Sequence, residues 1–371
     1  MSEVSKFDSW VTTDIAAAIV LREHLVPIEG PDGVFFPATY AAAEDKNAFP
    51  GGYNIDPPQG EKNICLVDSV GSQANRIEPI FAKPEYAKLV PQVTVKAGEK
   101  SVSLLEAGHR AGDALVRCTA LQKELQEAFK GVLKGDALKM AKIAPTSLVF
   151  GVWDSRDTQA KLPRLVSSTI RAFNVTRLRR SAQFNPATEY ITDKLLDETT
   201  DKATKDAYAE RGFIHVPATG SHGGVIASGG IRRDATLSLA ALRLLSAAND
   251  KDQTIALRRY ILGLSLVALT ANASTYLRQG CNLVPDTEKS REFKLVHSDG
   301  TKETLKLTHA DALAFALAAA KSFVVGESRN VDFDTTLARK DIAGEGDTKA
   351  TRKAAAKKAD AALAKAEVKS S

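Results

Sequence analysis

The sequence predicts an α+β fold built on a small antiparallel sheet, and three observations carry that expectation. Short apolar runs of strand character recur at NICLVDSV (63–70), at SLVFGVW (147–153) and on both sides of the glycines in GFIHVPATGSHGGVIASGG (212–230). Stretches of helical periodicity separate them. Near the end, REFKLVHSDGTKETLKLT alternates on both sides of a turn and reads as a hairpin over about 291–307. No internal repeat, heptad run or strict βαβ series is present, so a parallel doubly wound sheet is not expected.

Taken in order, residues 9–25 place Trp10, Ile15, Ile19 and Val20 behind the candidate caps Asp8 and Ser9, which predicts a first amphipathic helix. A loop rich in Gly, Pro and Asp leads to the strand 63–70, and GSQANRIEPIF turns into a helix that ends near Pro79. One or two helices are expected over 103–130, with Leu104, Leu105, Leu115, Val116, Leu121, Leu125 and Phe129 turned inward. The buried strand 147–153 follows. After it, Pro163 suits the first turn of a helix running through KLPRLVSSTIRAFNV. From Asn185 to about Arg211 the chain is polar and weakly patterned, the mark of an insertion over about 187–211. The segment 212–230 supplies two short strands, IRRDATLSLAALRLLSAA reads as a long helix, and a further apolar helix spans about Thr254 to Asn272. In the hairpin, Asp299-Gly300 suits a type I′ turn. HADALAFALAAAKSFV is the last ordered helix. The Lys/Ala-rich stretch 339–371 has almost no apolar stripe to bury and is expected to be disordered, which leaves one elaborated domain over 1–338.

With 371 residues, 44% of them apolar, the chain can bury a large core. It has no run of eighteen apolar residues, and MSEVSKFDSW lacks the apolar core of a signal peptide, so no membrane partner and a cytoplasmic location are expected. Cys65, Cys118 and Cys281 lie far apart among apolar neighbours and form no CxxC pair, which predicts buried thiols rather than zinc ligands or disulfides. The formal net charge of +5 is unevenly spread. Nine Lys/Arg and five Asp/Glu between Arg339 and Ser371 hold +4 of it. Between Asp154 and Arg180, seven basic side chains meet two acidic ones, so the rest of the body is slightly acidic.

Signals for catalysis are weak. His24, His109, His215, His222, His297 and His309 form no HExxH or close ligand pair, and no serine lies in GxSxG, so no catalytic residue, metal or cofactor is expected. Asp154 and Asp157 stand beside basic residues, where surface ion pairing competes with a metal-dependent ribonuclease site. GSHGGV at 220–225 offers backbone N–H groups to a phosphate, as a nucleotide-using enzyme would need, but lacks the Lys-Ser/Thr ending of a P-loop.

The basic segment says more. On a helix starting at Pro163, Arg164 and Arg171 would share one face beside Ser167 and Ser168, with Arg156 and Lys161 just upstream. Guanidinium groups clamp phosphates through paired N–H bonds, so such a face suits a phosphodiester backbone, although a solvated basic face would have the same composition. Ser72, Gln73, Asn75 and Arg76 add donors directly after a strand, together with Ser69. Arg232 and Arg233 open a predicted helix after Gly229-Gly230, where cations oppose the helix dipole unless an anion or a salt bridge offsets them. His222 is a further candidate, able to stack on a base or simply to pack.

The blocks LVDSVGSQANRIEP, EAGHRAGDALV, LVFGVWDSR, KLPRLVSSTIRAFNV and GGIRRDATLSLAALR, in this order, resemble the RAMP-superfamily backbone (Cas-seven-type) subunit of type I-G CRISPR effector complexes, formerly called I-U. The resemblance covers roughly residues 60–330. It implies a modified RRM-like (ferredoxin-like) palm with inserted finger and thumb elements, the thumb being either 187–211 or the hairpin 291–307. It also implies a non-catalytic role, in which copies polymerise along CRISPR RNA and leave its bases free to pair with target DNA, so that pairing reads the sequence and protein reads the backbone. Other effector subunits and a recruited helicase-nuclease are the further implied partners. Under this resemblance the RNA-contact residues are Ser72, Gln73, Asn75, Arg76, Arg156, Lys161, Arg164, Ser167, Ser168, Arg171, His222, Arg232 and Arg233. Aromatics make up only 6% of the chain, which fits backbone holding better than base stacking.

Overall fold

A computed structural model describes residues 3–57, 62–272 and 274–343. In chain order the elements that build the site begin with helix α1 (Asp8–Thr12), strand β1 (Ala16–Pro27), strand β2 (Ile64–Asp68) and helix α2 (Val70–Ile77). Helix α3 (Gln122–Leu133), strand β3 (Val166–Phe173), the hairpin strands β4 (Val175–Phe184) and β5 (Val216–Ala227) and strand β6 (Ile231–Ser238) follow. Helix α4 (Lys251–Thr270), strands β7 (Cys281–Pro285), β8 (Glu292–His297) and β9 (Lys302–Thr304) and helix α5 (His309–Phe323) complete the set.

The sheet runs β7–β1–β6–β3–β2, with β8 pairing the first half of β1 and β9 at its outer edge. All these pairings are antiparallel. With β1, β3, β6 and β7/β8 as the four core strands and α4 as the second crossover helix, this is the 4-1-3-2 order of a ferredoxin-like, RRM-like palm. The expected α+β class and RRM-like architecture hold. A long insertion containing α2 and α3 fills the first crossover, and β2 from it extends the sheet past β3.

Several local expectations fail, most of them because sheet pairing overrides local periodicity. Residues 16–27 form a strand, and α1 is only five residues long. Ile19, Leu21, Leu25 and Pro27 are buried positions of β1 on one side of its alternation, while Ile15 lies outside it in solvent. The helix expected from Pro163 is strand β3, in which Val166, Ser168, Ile170 and Ala172 are buried on one face. The helix expected from Ile231 is strand β6, with Ile231, Arg233, Ala235 and Leu237 inward, and only Leu239–Leu242 turns helical after it. Conversely, the strand expected at 147–153 is mostly the short helix Pro145–Phe150, because a fully buried apolar run has no face to give a period. The helices expected over 103–130 are interrupted: Leu104–Glu106 is a 3-10 turn, Ala114–Arg117 one helical turn, and only α3 is extended.

The hairpin β8–β9 forms where alternation predicts it, but its turn is not type I′. Gly300 N donates to the His297 carbonyl at 3.0 Å, and only Gly300 adopts positive φ (+88°), which is a type I turn closed by a left-handed glycine. Helix α4 is buried at every position from Tyr260 to Thr270, and α5 packs along it behind a Thr308–Asp311 capping box. These helices and one sheet face enclose the main core, which includes Ile19, Leu21, Ala235 and Leu237. A second core around Phe35, Tyr53, Val67, Ile170, Ile231 and Leu283 fills the other end of that face. The cysteines are free and buried, as expected, and burial pushes the Cys65 thiol up to about 12. A helix Thr335–Ala343 runs through the first residues of the stretch expected to be disordered, and Arg117 pairs with its Asp341 at 2.5 Å. The rest of that stretch lies outside the described residues.

Candidate nucleic-acid interface

Helix α2 starts where Ser69 caps it, accepting from Ser72 N at 3.2 Å, with the two hydroxyls 3.1 Å apart. From that helix Gln73 turns inward: its Nε2 donates to Asp68 Oδ2 at 2.7 Å, and its Oε1 accepts from Ser168 Oγ of β3 at 2.9 Å. Asp68 is fully buried and also accepts from Arg76 Nε (3.1 Å) and Arg278 Nη2 (2.7 Å). Gln73 and Ser168, both predicted to touch RNA, are therefore spent on locking α2 to the sheet. Asn75 and Arg76 remain at the surface side, Asn75 exposed and Arg76 half-buried.

A buried arginine outside the predicted set links this helix to the basic loop. Arg110 reaches Glu78 at 2.6 Å and donates to Asn75 Oδ1 at 3.1 Å and to the Gly151 carbonyl at 3.3 Å. The loop leaves Gly151 as a two-residue ladder, in which Trp153 pairs with Lys161. Asp154 folds it: its carboxylate accepts from Asp157 N, Thr158 N and Thr158 Oγ1 at 3.3, 2.8 and 2.7 Å. Asp157 accepts from Gln126, so both aspartates organise the loop, and no cluster of metal-ligating side chains occurs among the described residues. Arg156, Lys161 and Arg164 project from this loop, all exposed. Partial burial, and then the charge of Arg110, hold the Arg164 guanidinium below its ordinary value.

Because 166–173 is a strand, Arg164 and Arg171 do not share a helix face. Ser167, Thr169 and Arg171 instead occupy the polar face of the sheet. There Arg171 stands directly opposite Arg232, and Arg232 opposite His24. Arg232 donates to Asp234 at 2.8 Å and lies over the Phe173 ring at 4.7 Å, while Arg171 donates to the Thr169 hydroxyl at 2.6 Å. Arg233 points the other way. It is 3% exposed, paired with Glu23 at 3.0 Å, and lines a cavity of about 220 Å³ beside Leu25, Ile170 and Leu283 of the second core. Strand geometry, not a helix dipole, thus places the Arg232–Arg233 pair, and the two residues serve opposite faces.

His222 and the GSHGG glycines lie on β5, within the hairpin β4–β5 that rises between the second and third core strands. The two short strands expected here are one long bulged strand, and no helix follows to make a phosphate loop. A Cβ at Gly223 would meet the Arg179 carbonyl carbon at 2.7 Å, so that glycine permits the close pairing with β4. Exposed His222 lies 4.8 Å from the Tyr53 ring and opposite Arg179, with Ser221 opposite Arg180. The insertion 187–211 caps the hairpin, with Tyr190 edge-on to Phe213 at 5.2 Å and a helix Lys202–Glu210. Arg177, Arg179 and Arg180, exposed on β4, join the candidates although the sequence reading does not single them out; the pattern T-R-L-R-R ahead of a glycine-rich segment carries the signal.

Residues 19–177 match the family model described as CRISPR-associated protein GSU0053. The matched segment runs from β1 through α2, the basic loop and β3 into the base of the hairpin, and what it is similar to is a CRISPR-associated protein. No curated protein matches the chain. No helix among the described residues is long and apolar enough to cross a membrane.

Proposed function

We propose that this chain is a non-catalytic backbone subunit of a type I-G CRISPR effector complex, which polymerises along CRISPR RNA and presents the guide for pairing with target DNA. The family match supports a role in CRISPR defence. One observation carries the finer reading. Lys161, Arg164, Arg171, Arg177, Arg179 and Arg180 have no carboxylate within ion-pair distance among the described residues, whereas Arg22, Arg76, Arg110, Arg232, Arg233 and Arg278 all have one. Cations held at the surface without counter-charges suit a polyanion that supplies them, and their spread over loop, sheet face and hairpin suits an extended one. In this reading the thumb is the hairpin β4–β5 with its capping insertion, rather than the β8–β9 hairpin.

Lys161, Arg164, Arg171, Arg177, Arg179 and Arg180, with Asn75, His222 and the Asp68-paired Arg76, hold the RNA backbone, while Gln73 and Ser168 fix α2 against the sheet. Other effector subunits and a helicase-nuclease act on the assembled filament. The test is light scattering of nucleic-acid-free protein mixed with single-stranded RNAs of increasing length. Bound mass should rise in steps with length; one copy per RNA at every length, or no binding, would count against the reading.

A further inference from the structure

Trp153 is a large side chain whose placement the backbone-holding role leaves unexplained. Of the two tryptophans, Trp10 is 8% exposed and stacked on Phe7 at 4.3 Å, as core residues are, but Trp153 is 59% exposed. An exposed aromatic alone carries little weight. This one stands on a built support. Its backbone pairs with Lys161, whose ammonium lies 5.9 Å from the indole centroid. The next residue, Asp154, is 3% exposed and accepts three hydrogen bonds from its own loop. Arg110 ties the loop's first residue, Gly151, to Asn75 of α2. The result is an exposed indole on a hydrogen-bonded loop, with the Lys161 ammonium beside its ring.

We propose that Trp153 is a stacking platform for one nucleobase of the bound single-stranded RNA. The inference rests on the RNA-holding reading above and adds a contact of a different kind to it. Every base has a π-face, so a platform of this sort positions a nucleotide without reading its identity, while the neighbouring cations take the flanking phosphates. A rigid indole loses little freedom on binding, and the Asp154 cage has already fixed its backbone.

The test uses the full chain, with the Trp10→Phe variant as background so that the only indole is Trp153. Homopolymeric single-stranded RNA is added while binding is followed by anisotropy of a dye on the RNA and, separately, by indole emission. The expected result is emission quenched in step with binding. Trp153→Ala in the wild-type background should weaken affinity by roughly 5- to 150-fold, the range of one base stack, while Trp153→Tyr retains most of it. Binding with unchanged emission and unchanged Trp153→Ala affinity would overturn the platform and leave the RNA reading standing. An emission change that follows protein concentration without RNA would assign Trp153 to a contact between copies and overturn it as well. If anisotropy shows no RNA bound by any version, both readings fall.

Discussion

Asp68 and Arg171 illustrate two uses of charge that composition cannot separate. The Asp68 carboxylate is buried under three donors, from Gln73, Arg76 and Arg278, which come from the helix after it and from a strand about 210 residues on. Asp68→Ala would leave two guanidinium groups and an amide without their acceptor. We expect a loss of about 3 kcal/mol of stability, read as a lower urea midpoint, with Asp68→Asn less severe. Both arginines are partly in water, so a larger loss is not expected. Arg171 has the opposite character, bonded to a hydroxyl and facing Arg232 across the strand. Charge reversal at Arg164 and Arg171 should therefore weaken RNA binding and lower the salt slope by about 0.7 for each phosphate no longer neutralised, with normal thermal unfolding. Unchanged affinity in a folded variant would remove these two from the interface. The sequence marked both arginines as candidates, but it equally marked Arg233, which is buried against Glu23. Sidedness on a strand separates Arg232 from Arg233, and helical periodicity over 231–238 conceals it.

Among the elements, the β4–β5 hairpin is the most exposed part of the sheet system, with every residue from Arg179 to Asn185 exposed. Its pairing shifts register twice, between Arg177 and Arg179 and between Arg180 and Ala182. Gly223 lies at the first of these irregularities, and its hypothetical Cβ is blocked by backbone atoms of Leu178 and Arg179 rather than by a flexible side chain. Gly223→Ala should push the strands apart there. Hydrogen exchange of the hairpin amides beyond Gly223 should accelerate, while the global unfolding midpoint falls only modestly, because of the hairpin only its base, with Val175, Val225 and Ala227, belongs to a core. An unchanged exchange pattern would mean that the pairing tolerates the extra methyl group. Elsewhere, legibility followed the source of each element's stability. Helices α4 and α5 and the start of α2 were readable because caps and local hydrogen bonds lie within a few residues. Strand β1 was misread because its partners are remote: Ala18 faces Ser238.

At the scale of the molecule, two apolar cores share one sheet face, and the buried Arg233–Glu23 pair separates them. The opposite face carries the Arg22, Arg171, Arg232 and His24 group. The loop and hairpin cations stand at the margins of this body, so the positive field is local rather than general, in keeping with a formal net charge of only +5. Affinity in the light-scattering experiment should consequently fall steeply with salt, by a log–log slope of about −0.7 per phosphate neutralised, and the length-dependent steps should survive at moderate salt. A shallow salt dependence would mean that the unpaired cations do not meet the RNA.

By itself the sequence determined the α+β class, the buried thiols, the late hairpin and the concentration of positive charge between 154 and 180. Each is a property of composition or of short-range order. Only the tertiary structure decided which basic residues meet solvent, which are buried beside a carboxylate, and how Asn75 comes to lie beside the Trp153 loop through Arg110. The physical reason is that an antiparallel sheet takes its register, and hence the face each side chain occupies, from strands far away in the chain. A one-residue shift in that pairing would have exchanged Arg232 for Arg233.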